Sequence, residues 1–170
     1  AYEEISLVPV RKDMYPKIIE WLRNPVIKNN LLTVFPCTES ELKEYLEKDN
    51  NQYFAILYNN EMEGVIGADY IDTISSKLEM KKFIGNFDSR GKGIGKRATF
   101  LFLYYVFSVL NFNKVYIYTL NKNIANINLN SKFGFVLEGI LYKEKMVKDK
   151  LQDVVRMGLL SSVWNEVFDR

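Results

Sequence analysis

Arg90-Gly91-Lys92-Gly93-Ile94-Gly95 lies between an extended run that ends near Phe87 and a strongly apolar run that begins at Ala98. Three glycines within five residues let the backbone turn tightly and approach a ligand without Cβ clashes. The peptide N–H groups at the start of the following helix then point outward at an anion. A phosphate cradle at a strand-to-helix turn is expected, and a ligand-free turn is the competing reading. A Walker A loop would need Gly at position 90 and Ser or Thr after Lys96, where Arg90 and Arg97 stand. A dinucleotide fingerprint would need Gly in place of Lys96.

Upstream of the loop, Ile5 to Val10 reads as a strand, and Asp13 is placed to cap a helix running to Leu22 with Pro16 in its first turn. Asn24-Pro25 ends that helix, and Asn24 to Thr38 reads as a connection whose mixed apolar and amide groups suit acceptor choice. Thr38 and Glu41 form a capping box for a second helix to about Lys48. Gln52 to Tyr58, Glu61 to Asp72 and Lys77 to Phe87 read as three consecutive strands, the first two joined at Asn59-Asn60. Downstream, the run from Ala98 reads as a buried helix that ends before Asn111-Phe112-Asn113. Lys114 to Leu120 is a strand, Asn123 caps a short helix to Phe133, and Phe135 to Tyr142 and Val154 to Leu160 close the sheet. This order predicts an α+β fold, a mixed sheet with antiparallel N-terminal strands and a central parallel pair flanked by helices. A crossover helix preceded by a phosphate loop puts the ligand at the strand ends.

At 170 residues and 48% apolar composition, with no linker, repeat or low-complexity tract, one domain over residues 1–170 is expected. A charge of +2 from 23 basic and 21 acidic residues gives no general field to gather nucleic acid or membrane lipid, so neither is expected as a partner. Cys37 stands alone and the chain has no His, which excludes an internal disulfide framework and removes the commonest metal ligand and the usual catalytic base. No metal site is expected. Ala1-Tyr2-Glu3-Glu4-Ile5 lacks the pattern of a signal peptide, and the uncharged run from Ala98 to Asn113 falls short of the roughly 20 residues needed to span a bilayer. A cytoplasmic location is expected, and the oligomeric state stays open, a homodimer included.

Arg90, Gly93 and Gly95 match the Arg/Gln-x-x-Gly-x-Gly/Ala signature of the GNAT superfamily of acyl-CoA-dependent N-acetyltransferases, which this chain resembles. Asn123 through Phe135 resembles the family segment in which a helix contacts the coenzyme and Gly-Phe turns into the next strand, which marks Asn123 and Asn126. Leu137-Glu138-Gly139-Ile140-Leu141, with Asp149, Asp153 and Met157-Gly158-Leu159-Leu160, is similar to the closing strands of the ribosomal-protein (Rim-type) branch. Trp21-Leu22-Arg23-Asn24-Pro25 is similar to that branch's first-helix ending. The resemblance implies acetyl-CoA as co-substrate, cradled by Arg90, Gly91, Lys92, Gly93, Ile94, Gly95 and Lys96. The charges there suit the coenzyme's phosphates, Arg97 included, while each cation also reads as a solvated surface charge, the favoured reading for Lys122. It also implies a kinked strand at Phe83, Ile84 and Gly85 whose backbone donates to the thioester oxygen.

Acetyl transfer to an amine needs the amine unprotonated, and without His a carboxylate is the natural base. Glu79 lies on the strand leading into the loop and aligns with a Glu common there in the family; the competing reading is an exposed strand Glu paired to Lys77, Lys81 or Lys82. Asp69 and Asp72 on the neighbouring strand could bind a cationic acceptor, though turn-capping explains Asp72 equally well. Asn130 stands where many members carry a Tyr as general acid, with Ser131 and Tyr142 as substitutes. Asn130 can hydrogen-bond the sulfur and cannot supply a titrating proton. The expected acceptor is an amine on a protein N-terminus or a small molecule. The alternatives are an amino-sugar nucleotide and a non-catalytic acyl-CoA-binding domain.

Overall fold

The computed structural model describes residues 4–32, 35–89 and 91–168, so Arg90 lies outside the described residues. Seven strands form one sheet in the order β1-β2-β3-β4-β5-β7-β6. They are β1 (Ile5–Pro9), β2 (Gln52–Tyr58), β3 (Glu61–Asp72), β4 (Lys77–Ile84), β5 (Lys114–Leu120), β6 (Val136–Val147) and β7 (Lys150–Leu160). Every neighbouring pair is antiparallel except β4 and β5. The expected mixed α+β sheet with a central parallel pair is the fold observed.

Local chemistry explains most of the order. Asn59 and Asn60 both take left-handed conformations, φ 51° and 67°, which a tight hairpin between β2 and β3 requires. Alternation along β2–β4 then sends Tyr53, Ala55, Val65 and Phe83 to one face and Ile56, Ile66, Leu78 and Met80 to the other. The first face is covered by α1 (Tyr15–Arg23), α2 (Pro25–Asn30) and α3 (Glu39–Leu46), through Ile18, Trp21, Leu22, Ile27 and Leu42. On the second lie α4 (Ile94–Tyr104) and α6 (Ser161–Phe168), whose Phe102, Leu103 and Trp164 are almost wholly buried.

Several expectations are corrected. Asp13 caps no helix: it pairs with Arg11 at 3.2 Å on the surface, and the chain enters α1 through a short turn at Lys12–Met14. Asn24 ends α1 and then caps α2, its side chain accepting from the Val26 N–H at 2.9 Å, so part of the presumed connection is helical. Thr38 does form the capping box, accepting from the Glu41 N–H at 3.4 Å and donating to its carboxylate at 2.7 Å. β4 stops at Ile84 rather than Phe87. β6 and β7 run on to Val147 and back from Lys150 around a Lys148-Asp149 turn with φ 49° and 58°. The charged run from Lys143 to Lys150 hides the alternation there.

One feature of the sheet positions the site. β4 pairs with β5 only at Lys77–Glu79 against Lys114–Tyr116. Beyond Glu79 the two strands diverge, β4 staying with β3 as far as Ile84 and β5 with β7 as far as Leu120. The centre of the sheet therefore opens as a V.

Candidate active site

A cavity of about 570 Å³ occupies the V and reaches from Glu79 to the start of α4. On its β4 wall the backbone is the main resource. Gly85 N–H donates to Glu63 O at 2.8 Å, toward β3. Strand alternation then points the N–H and C=O groups of Phe83 and Lys81 the same way and those of Ile84, Lys82 and Met80 into the V. This corrects the Phe83–Gly85 expectation: of the three, only Ile84 offers its N–H to a ligand. The β3–β4 register is regular from Gly64↔Ile84 to Asp69↔Glu79, and just beyond it the N–H groups of Gly85 and Asn86 both donate to Glu63 O, at 2.8 and 3.3 Å, a bulge-like irregularity at the place where the kink is expected. Gly85 serves packing, since the Trp21 ring lies where its Cβ would stand.

The glycine loop forms the far end. Gly91 (φ 82°) and Gly93 (φ 75°) are left-handed, and Gly93 caps α4 (Ile94–Tyr104) with open space on its Cβ side. An L side chain is strained at either position. Gly95 is not left-handed, and its Cβ would lie 3.8 Å from Ile84, an ordinary contact. Ile94 is buried and Lys96 borders the cavity, whereas Lys92 is exposed and does not line it. Arg97 is turned inward: its guanidinium donates to Lys92 O at 2.9 Å and lies over the Tyr58 ring at 5.3 Å. The first turn of α4 and Lys96 border this end of the cavity, an arrangement whose chemistry suits an anion.

The opposite wall is α5 (Ile124–Ser131). Asn123 caps it, accepting from the Asn126 N–H at 3.3 Å, and Asn126 donates to the Thr119 hydroxyl at 3.2 Å. Asn130 is 1% exposed and donates to Asn126 O at 2.8 Å and Asn126 Oδ1 at 3.2 Å. Asn130 borders the cavity, but its Oδ1 is buried and has no hydrogen-bond partner among the described residues. Ser131 is exposed, and Tyr142 is 77% exposed on β6 (Val136–Val147).

Glu79 stands at the vertex of the V, buried at 7% exposure. Burial raises its pKa, an effect that the Lys81 ammonium at 3.4 Å opposes and nearby Asp69 adds to. The pairing weighed for Glu79 thus exists, with Lys81, but in a buried setting. Lys77 pairs instead with Asp72 at 3.9 Å, and Lys82 reaches the Thr99 hydroxyl at 2.6 Å. Asp72 also accepts from the Ser75 N–H at 2.8 Å, the turn-capping role.

The neighbouring network is largely invisible to local sequence patterns. Asp69 accepts from Lys81 at 2.6 Å, from the Tyr53 hydroxyl at 2.6 Å and from the Tyr45 hydroxyl. Burial is the main reason both phenol pKa values rise, holding these groups protonated as donors. Across the vertex, Arg156 stacks 4.3 Å from the Tyr116 ring and pairs with Glu138 at 2.9 Å, and Glu138 also pairs with Lys114. The available signal was Lys81-Lys82 inside a central strand, where adjacent residues face opposite sides and both must find partners.

A model of the acetyltransferase (GNAT) domain matches residues 4–136. Spermidine N(1)-acetyltransferase of Escherichia coli (strain K12) is 26% identical over 114 residues, covering 67% of this chain and 61% of that protein. The protein of the same name from Vibrio cholerae is 35% identical over 99 residues, covering 58% and 57%. The chain thus spans less than two thirds of the length of these relatives. The crystal structure of spermidine N-acetyltransferase from Vibrio cholerae in complex with CoA and spermine superposes with a TM-score of 0.86 at 23% identity, covering 95% of this chain and 98% of that one.

Proposed function

Because this chain belongs to the GNAT acetyltransferase family, we propose that it transfers the acetyl group of acetyl-CoA to a primary amine of a small acceptor. The observation that carries this reading is the buried Glu79 at the vertex of the V, beside a strand whose next residues leave backbone groups open. Ile84, Lys82 and Met80 can pair with the extended amide-bearing arm of the coenzyme as they would with another strand. Gly91, Gly93 and the first N–H groups of α4 receive its pyrophosphate, with Lys96 beside them.

At the vertex, Glu79 takes the proton that the amine loses as its nitrogen bonds to the thioester carbonyl carbon and the C–S bond breaks. The electron pair leaves on sulfur. A thiol with a pKa near ~8.5 is a tolerable leaving group at neutral pH, so Asn130 in place of a proton donor is compatible with turnover. The Rim-type resemblance favours a protein N-terminus, whereas the named activity of the relatives and the enclosed vertex support a small amine. Saturating CoA, at ~100 times its dissociation constant, should stabilise the fold by roughly 2.7 kcal/mol. Gly93→Val, a β-branched side chain at φ 75°, should abolish that shift without unfolding the chain. An unchanged CoA affinity in the variant, measured by calorimetry, would remove the loop from the site. Release of free thiol dependent on an added amine separates an enzyme from a CoA-binding domain.

A further inference from the structure

We infer that the acceptor carries an anionic group at the end remote from its reacting amine, and that this group docks beside Lys28 and Lys145. The inference rests on the transfer reading above and concerns what the acceptor's other end must be.

A second cavity, of about 210 Å³, adjoins the first. Leu31 and Phe35 line both, so the two cavities meet at these side chains. Among the described residues that line it are Lys28, Asn29 and Lys145, with apolar groups between them and no carboxylate. In the larger cavity Glu79 is the only acid among the described lining residues, and it is paired with Lys81. The acids around the vertex are already matched. Asp69 and Glu79 hold the Lys81 ammonium between them, and Glu138 holds Arg156 and Lys114. A polyamine would bring at least one further ammonium past Leu31 and Phe35 into a groove with two lysines and no counter-charge. An anionic tail finds two ammonium groups and the amide of Asn29. A primary amine joined through a short apolar or hydroxylated body to a carboxylate or phosphate fits this distribution; a polycation does not.

The test keeps the amine fixed and changes the far end: hexylamine, hexanediamine, aminohexanoate and aminohexyl phosphate, with the propyl and nonyl series to find the span. Thiol release is followed as kcat/KM, and binding to the CoA-loaded protein is followed separately by calorimetry. At the favoured length the anionic compounds should exceed hexylamine by about tenfold or more and the diamine should fall below it, as expected for charges meeting in a partly desolvated groove. Comparison of the last two compounds tells a carboxylate acceptor from a phosphorylated one. In Lys28→Ala/Lys145→Ala the ratio of anion to hexylamine should collapse toward unity, and Lys145→Glu should move the preference toward the diamine. A diamine preference, equal kcat/KM and affinity across the set, or an anion advantage that survives the double alanine variant would overturn the inference. Ordered binding without thiol release from any amine would instead remove the transfer reading and leave the groove as an anion site.

Discussion

On β4, Lys81 reaches Asp69 at 2.6 Å and Glu79 at 3.4 Å, whereas Lys82, one residue on, reaches the Thr99 hydroxyl on the opposite face at 2.6 Å. The two faces of one strand thus handle a buried ammonium differently. On the acceptor face the charge is retained and matched by carboxylates. On the α4 face no carboxylate among the described residues answers it, and burial lowers the Lys82 pKa to about 7, so the group approaches neutrality near physiological pH. Thr99 is itself anchored, donating to Gly95 O at 2.7 Å, which ties Lys82 to the first turn of α4. Under the proposed transfer, pairing suits a face that must work on an amine, and partial neutralisation suits one that only supports the glycine loop.

The largest expected effect tests the acceptor face. Glu79→Gln keeps the shape and removes the base, so turnover should fall by about 10²–10⁴-fold with CoA affinity unchanged. Wild-type turnover should rise with pH through the elevated Glu79 pKa, because the carboxylate is the active form, and this limb should vanish in the variant. Full turnover from pH ~6 to ~9 would move the base elsewhere. Next, Lys81→Met leaves Asp69 and Glu79 buried without their cation, and urea unfolding should show a loss of about 3–5 kcal/mol. A loss under about 1 kcal/mol would show that the carboxylates are neutralised some other way.

The smallest effect belongs to the other face. The Lys82 pKa in the folded state, about 7, lies below its ordinary value of 10.5. Between those values the unfolded chain binds the proton and the folded chain does not, so wild-type stability rises with pH across this window. Below it the full cost of burying the charge is present. Lys82→Met should therefore be more stable than wild type by about 1–3 kcal/mol near pH ~6, with the gap closing by pH ~10. Parallel stability curves for the two proteins would show that Lys82 does not titrate in this range.

Features governed by neighbouring residues were legible in the sequence. Asn59-Asn60, Thr38 with Glu41, Asn123 as a cap and the left-handed glycines all act within a few residues, and the structure places each where its chemistry demands. The alternation of three strands before a crossover helix was enough to predict the parallel pair. What the sequence concealed depends on partners distant along the chain. Gly85 has a backbone suited to donation, but Glu63 O takes its N–H. Asp69 looked available to a cationic acceptor, but Tyr45, Tyr53 and Lys81 converge on it from two other strands and a helix. α2 was missed because Pro25 reads first as a terminator, although Asn24 before it is a good cap. The length of the β4–β5 pairing, and hence which amides stand open, is set by where the two strands part.

That parting leaves β4 with an exposed hydrogen-bonding edge in the middle of a sheet. Edges on the rim of a sheet invite another polypeptide to pair, with aggregation as the hazard. This one lies inside the sheet, in a cavity bordered by the start of α4 and by α5. Cross-section becomes the filter: a slender, unbranched arm carrying widely spaced amides suits such an edge better than a strand with side chains on both faces. A liability elsewhere in β-sheet proteins is here reserved for one shape of guest.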